Sequence, residues 1–463
     1  MIKSVEDLKS QLFLSRKNGL LNCDDAKWKK ITDYCEGYKN FLADGKTERE
    51  AAKAAIAIAE EAGFVPFEEG KTYKAGDKYY VNNRGKTVAF VVIGTETADK
   101  GVNIAAAHID SPRLDLKPNP LYEDSELSLF KTHYYGGIKK YQWTAIPLSL
   151  HGVFVKKDGT VVEVNIGEDE GDPCFVVTDL LPHLAQEQSK RTLADGIRGE
   201  ELNILIGSRP FTDDKESELV KLNVMAILNE KYGVTEEDFL SAELECVPAF
   251  KPCDLGLDRS MIGAYGHDDR VCAYPALTAI CEIGIPEKTA VTILADKEEI
   301  GSDGNTGLNS AFLKYVVRDI AEMQGKDYTV ALRNSKCLSA DVNAALDPTF
   351  KDVSEPKNAA KLNYGAVITK YTGARGKSGT SDASAEYVAE IRAMLDKAEI
   401  TWQTGELGRV DLGGGGTVAM YIANLGVDVV DLGVPVLSMH APFETVSKFD
   451  VFETYRTMYE FLK

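Results

Sequence analysis

The stretch Thr289-Ala-Val-Thr-Ile-Leu-Ala-Asp-Lys-Glu-Glu-Ile-Gly301 carries two kinds of information. Its first half, Val291 to Leu294, is a β-branched apolar run with the composition of a strand buried on both faces. Its second half turns polar, with Glu298 and Glu299 side by side and glycines at 301 and 304. A buried strand that ends in two adjacent acids suits chemistry at a sheet edge. One carboxylate can hold a metal ion while its neighbour moves a proton. Successive side chains on an extended backbone point to opposite sides, so the pair is expected to divide those tasks. A solvated acidic turn is the alternative, and partners elsewhere in the chain decide between the two.

Upstream, Lys86-Thr-Val-Ala-Phe-Val-Val-Ile93 and Val102-Asn-Ile-Ala-Ala-Ala107 read as strands joined by a polar turn. The second runs into His108-Ile-Asp110. Residues two apart on a strand share a face, so the Asp110 carboxylate can accept from one imidazole nitrogen of His108 while the other binds metal. Before these strands the chain reads as helices, one opened by the capping box Thr47-Glu-Arg-Glu50 and closed by Gly63. From 118 to 250 the texture changes to short alternating segments rich in turn residues, which predicts an inserted, mainly β domain, with a short helix starting at Pro182-His-Leu-Ala. The flanks, 1–117 and 251–463, alternate strands with helices and predict an α/β domain, a largely parallel sheet covered by helices.

Downstream, Gly266-His-Asp-Asp-Arg-Val271 leads into an apolar helix, where Asp268 and Asp269 could serve as caps and His267 reads as a surface non-ligand. Cys337-Leu-Ser-Ala-Asp341 is a short strand ending in an acid, and Val427 to His440 is an apolar strand delivering a histidine. In parallel α/β sheets ligands bind outside the carboxyl ends of the strands, where His108, Glu298, Glu299, Asp341 and His440 are all expected, with Asp268 just before a helix. Two histidines and three carboxylates suit two zinc-type ions with one carboxylate bridging, and leave one acid free as general base. The glycine run Gly413 to Thr417, with Gly414 at its centre, can line the pocket with backbone donors.

Composition narrows the partners. The 463 residues are 44% hydrophobic and 27% charged, with a net charge of -19, which argues against nucleic acid and anionic membranes. No apolar run reaches the roughly 20 residues of a spanning helix, and the first twenty residues lack the pattern of a secretory leader. Eight scattered cysteines without a CxxC predict reduced thiols and a cytoplasmic enzyme.

The motifs AAAHIDSPRLDLKP (105–118), GHDDRVC (266–272), DKEEIGS (296–302), SADVNAALDP (339–348) and SMHAPFE (438–444) together resemble the M18 family of metallo-aminopeptidases, and more distantly the M42 family. The resemblance spans essentially the whole chain. It implies that Asp268, rather than Asp269, bridges two divalent ions, zinc or else manganese or cobalt. His108 and Asp341 then complete one site and Glu299 and His440 the other, with Glu298 as general base and Asp110 orienting His108. It also implies that the insertion is a dimerisation domain, that the chain self-associates into a dodecamer, and that substrates are peptides with a free N-terminus. Thr369 stands where aspartyl-specific members have a lysine, with Lys370 one position on, so acidic and neutral first residues both stay open. Lys370, Arg375, Gly414 and His183 are the substrate-binding candidates. The competing readings are an M42- or M20-type metallohydrolase acting as a deacylase, a non-catalytic assembly protein on the same scaffold, and a nucleotide site that would lack its lysine.

Overall fold

A computed structural model describes residues 4–212 and 215–463. Its centre is a nine-stranded sheet in which the quoted strand, Ala290–Ala295, is buried at every residue. Beside it, and parallel to it in turn, lie Asn103–His108, Lys336–Ala340 and Asp428–Gly433. Register pairs Ala295 with His108 and Ala340 with Leu432, so these strands end near one edge. The sheet is mixed at its margins: Thr87–Val92 runs antiparallel to Ala290–Ala295, and Ala366–Thr369 antiparallel to Asp428–Gly433.

Two-residue alternation divides these strands between two cores. Phe90, Ala105, Ala107, Leu294, Leu338 and Ala340 face one core, and Val91, Ile104, Ala106, Val291, Ile293 and Cys337 the other. The helices Asp25–Asp44, Glu48–Glu61, His267–Glu282 and Lys448–Leu462 contribute to the first core, and Phe312–Met323, Tyr328–Asn334 and Ala419–Ala423 to the second. Strands covered on both faces must be apolar throughout, which is why these read as continuous runs rather than alternating ones. The expected capping box at Thr47 and Glu50 is formed in both directions.

A second, wholly antiparallel sheet of seven strands is built from residues between Arg113 and Pro248, around Leu114, Phe130, Trp143, Phe154 and Phe239. A five-stranded sheet, including Met261–Ala264, Pro435–Leu437 and Glu444–Ser447, lies beside the edge where the acids gather.

The strands at 87–92 and 103–108 follow one another in sequence as expected, with Ala290–Ala295 lying between them in the sheet and pairing with both. Three local expectations are corrected. Residues 182–185 form a turn rather than a helix start. The apolar run ending at His440 is divided between two sheets, so His440 sits in the left-handed region on a loop beyond Pro435–Leu437 instead of at a central strand end. His267 is fully buried, its Nδ1 on the Tyr38 hydroxyl at 2.7 Å and its Nε2 on the Ile262 carbonyl at 3.1 Å, a satisfied core histidine.

Candidate metal centre

Five segments far apart in sequence deliver their acids and histidines to one place. His108 ends its strand, and Asp341 follows the neighbouring one directly. Asp268 sits at the start of the helix His267–Glu282, where the dihedrals of Asp268 and Asp269 depart from helical values. Glu298 and Glu299 lie not on an extended backbone but in a single tight turn, Glu298–Ile300, entered through left-handed Lys297 and left through Gly301. The turn, unlike the strand pleat expected from sequence, sends both carboxylates toward the same cluster.

The distances define a row. One Asp268 oxygen lies 3.2 Å from His108 Nε2 and the other 3.2 Å from His440 Nε2. Asp341 is 3.8 Å and Glu298 3.9 Å from His108 Nε2, while Glu299 is 3.6 Å from His440 Nε2. Among the described residues, two donor groups lie within 4.8 Å internally: His108, Asp268 and Glu299, and His108, Glu298 and Asp341. His108 Nε2 and Glu299 Oε1 are buried without a hydrogen bond. Leaving such atoms unsatisfied is costly, and a cation among these nitrogen and carboxylate donors removes that cost. The donor set therefore fits divalent metal.

The electrostatics point the same way. Burial and the charge of Asp341 push the Glu298 carboxyl up to about 8, and burial with Asp268 holds Glu299 well above the usual carboxylate range. Burial depresses the His440 imidazole, but Asp268 and Glu299 more than offset this and bring it up to about 10. Carboxyls drawn toward neutrality beside histidines drawn toward cations mark a cluster short of positive charge.

A second layer fixes the first. His108 Nδ1 lies 3.0 Å from the Asp110 carbonyl oxygen and 3.2 Å from its carboxylate. That carboxylate also accepts from the backbone N–H groups of Glu298 and Glu299, at 3.1 and 3.2 Å, and from the Tyr135 hydroxyl. Asp269 turns away from the row, its Oδ2 accepting the His108 backbone N–H at 3.4 Å. Glu444 accepts from the backbone N–H of His440 at 2.7 Å and of Asp268 at 3.1 Å. Sequence reasoning assigned Glu444 no role, although it closes the last quoted motif. Tyr135 and Gly137 were missed entirely, because nothing in the alternation of a β strand announces a contact with another sheet.

The cluster opens into a cleft of about 440 Å³ lined by Asn343, Thr369, Thr372, Leu407, Gly414, Thr417, Met420 and Asp431 among others. Gly414 lines the cleft; its φ is 108°, and a Cβ there would stand 1.9 Å from the Gly373 carbonyl oxygen. Lys370 does not line it. Its ammonium is held by Asp382 at 2.7 Å, which also pairs with Lys377. Arg375 belongs to a smaller neighbouring depression, and His183 is exposed on its turn.

The family model described as Aminopeptidase I zinc metalloprotease (M18) matches residues 41–462. The chain belongs to the M18 family. It is 52% identical over 454 residues to the probable M18 family aminopeptidase 1 of Clostridium acetobutylicum, covering 96% of this chain and 97% of that one. The crystal structure of the M18 aminopeptidase of Thermotoga maritima superposes with a TM-score of 0.93 at 47% identity, over 97% of this chain and 99% of that one. The S. cerevesiae mApe1 dodecamer, 20% identical with a TM-score of 0.75 over 94% of this chain and 97% of that one, shares the fold. This M18 protein is a zinc-dependent aminopeptidase, a metallohydrolase on a mixed α/β fold of several sheets. Among its described residues, no helix is long and apolar enough to cross a membrane.

Proposed function

We propose that the enzyme is dinuclear and releases the first residue of peptides bearing a free amino group. The observation that carries this reading is Asp268, whose two oxygens each lie 3.2 Å from a different histidine. Sharing the donors so that each ion has one histidine assigns His108 and Asp341 to one and His440 and Glu299 to the other, with Asp268 common to both. Zinc is the natural occupant, with manganese or cobalt as substitutes. When bound, such ions supply Lewis acidity, polarising the scissile carbonyl and acidifying water.

The chain's own residues do the rest. Glu298 takes the proton of the attacking water and returns it to the departing amine. Its backbone is anchored on Asp110, so the carboxyl works from a fixed turn, and Asp110 orients His108. The cleft walls offer hydroxyls, backbone and apolar surface, and among the described lining residues there is no Lys or Arg. Asp431 lies among them, so a neutral first side chain suits the cleft better than an acidic one. We further assign residues 1–117 and 251–463 to a catalytic domain and 118–250 to dimerisation within a cytoplasmic dodecamer; the S. cerevesiae assembly supports the oligomer.

Elemental analysis tests the centre. Wild-type protein is expected to hold two ions per chain, and Asp268→Asn to lose both metal and activity. One ion per wild-type chain overturns the dinuclear reading, and full occupancy in Asp268→Asn overturns the bridge.

A further inference from the structure

The strand Leu127–Tyr135 belongs to the seven-stranded sheet, yet the chain leaving it touches the metal centre at three consecutive residues. Tyr135 donates its hydroxyl to Asp110 Oδ2 at 2.8 Å. Gly136, at a φ of 74°, packs against Glu299: a Cβ there would lie 3.1 Å from Oε2 and 3.3 Å from the Glu299 Cβ. The Gly137 carbonyl accepts from His440 Nδ1 at 2.7 Å, and a Cβ at 137 would stand 3.4 Å from that nitrogen. The Gly137 contact falls on the His440 nitrogen opposite the one facing Asp268, whereas Gly136 packs against the Glu299 oxygen that faces His440.

We infer that Tyr135-Gly136-Gly137 is a positioning strap by which the seven-stranded sheet aligns the donors of both metal sites. The inference rests on the dinuclear reading and deepens it. A carbonyl can only accept, so the Gly137 contact puts the proton on His440 Nδ1 and leaves Nε2 free for a cation. Tyr135 acts one step further back, holding the carboxylate that faces His108 Nδ1 and carries the Glu298–Glu299 turn. Gly136 provides clearance, since any side chain there would press on Glu299.

The strap has its own support, independent of metal. The Arg113 guanidinium lies 3.9 Å from the centre of the Tyr135 ring, and is itself paired with Glu48 at 3.1 Å and Glu245 at 3.2 Å. Arg113 also stands opposite Tyr135 in the sheet register. The place of the hydroxyl is thus set by packing of the second sheet, which makes it a reference point against which the metal donors are aligned.

Tyr135→Phe keeps the ring and its Arg113 contact and removes the hydroxyl alone. Loss of such an outer partner weakens metal binding by about 10- to 100-fold. We expect that loss in zinc affinity, measured by competition with a chromogenic chelator, and a changed visible spectrum of the cobalt-loaded protein. Excess zinc should restore much of the rate, and the neighbouring, partly exposed Tyr134→Phe should behave as wild type. Gly136→Ala should weaken zinc binding with the hydroxyl still present. Fewer than two ions in the wild type defeats the dinuclear reading. Two ions in the wild type, with both strap variants at wild-type affinity and spectrum, defeats the strap; so does a lowered melting temperature in either variant with unchanged zinc affinity.

Discussion

Replacing Glu298 by Gln removes the proposed proton carrier while preserving its size and one oxygen. The structure says what else should stay in place. The backbone N–H of Glu298 is held by Asp110, a bond that does not involve the side chain. The side chain, 17% exposed, faces the cleft, so no core packing is lost. Its carboxylate lies 3.9 Å from His108 Nε2, outside the shorter Asp268 contacts that join the two histidines. Glutamine cannot take a proton at neutral pH, so the whole general-base contribution disappears. That contribution is about 10²- to 10⁴-fold in kcat. At 1.36 kcal/mol per decade, the barrier rises by about 2.7–5.4 kcal/mol. Release of a chromogenic amine from an aminoacyl substrate measures kcat, and elemental analysis on the same preparation measures metal. The expected result is two ions per chain with kcat down by at least 10²-fold. A kcat within tenfold of wild type at full occupancy would refute the role. Loss of metal would instead make Glu298 a ligand.

Two further predictions concern stability and specificity. Glu168 is raised by burial but pulled down to about 2 by His151, Lys46 and Ser149, tying the chain before the helix Glu48–Glu61 to the seven-stranded sheet. A carboxyl with a depressed folded value contributes fully above about pH 4.5 and loses its contribution as pH falls through about 2. His151 is depressed by burial but raised overall by Glu168 and Glu50, so its share is present below the ordinary histidine value and fades as pH rises through the raised one. Melting temperatures should therefore separate wild type from Glu168→Gln at pH 5–6 and converge toward pH 2; a constant gap would contradict this. In a panel of first residues, leucine and alanine substrates should exceed aspartate in kcat/KM by at least about tenfold, roughly 1.4 kcal/mol, because no lysine or arginine among the described lining residues meets an acid. Equal or faster cleavage of aspartate would count against that reading of the cleft.

What the sequence alone determined is the set of parts. An apolar run covered on both faces must be a central strand, and acids directly after such runs must fall at the sheet's edge, so His108, Glu298, Glu299 and Asp341 were legible as neighbours. The capping box at Thr47 was legible because it is a local bond pattern. Tertiary structure decided everything that depends on contact between distant segments. Ala290–Ala295 separates two strands that are close in sequence, since strand order is set by burial across the whole sheet. Lys370 turns to Asp382 because a nearby carboxylate outcompetes the cleft for a flexible ammonium. The residue types leave Asp268 and Asp269 equivalent and only the family resemblance singles out Asp268; in the structure Asp268 faces both histidines while Asp269 turns away. The strap at 135–137 exists only where a second sheet meets the first, and periodicity along one strand carries no information about what its end will touch.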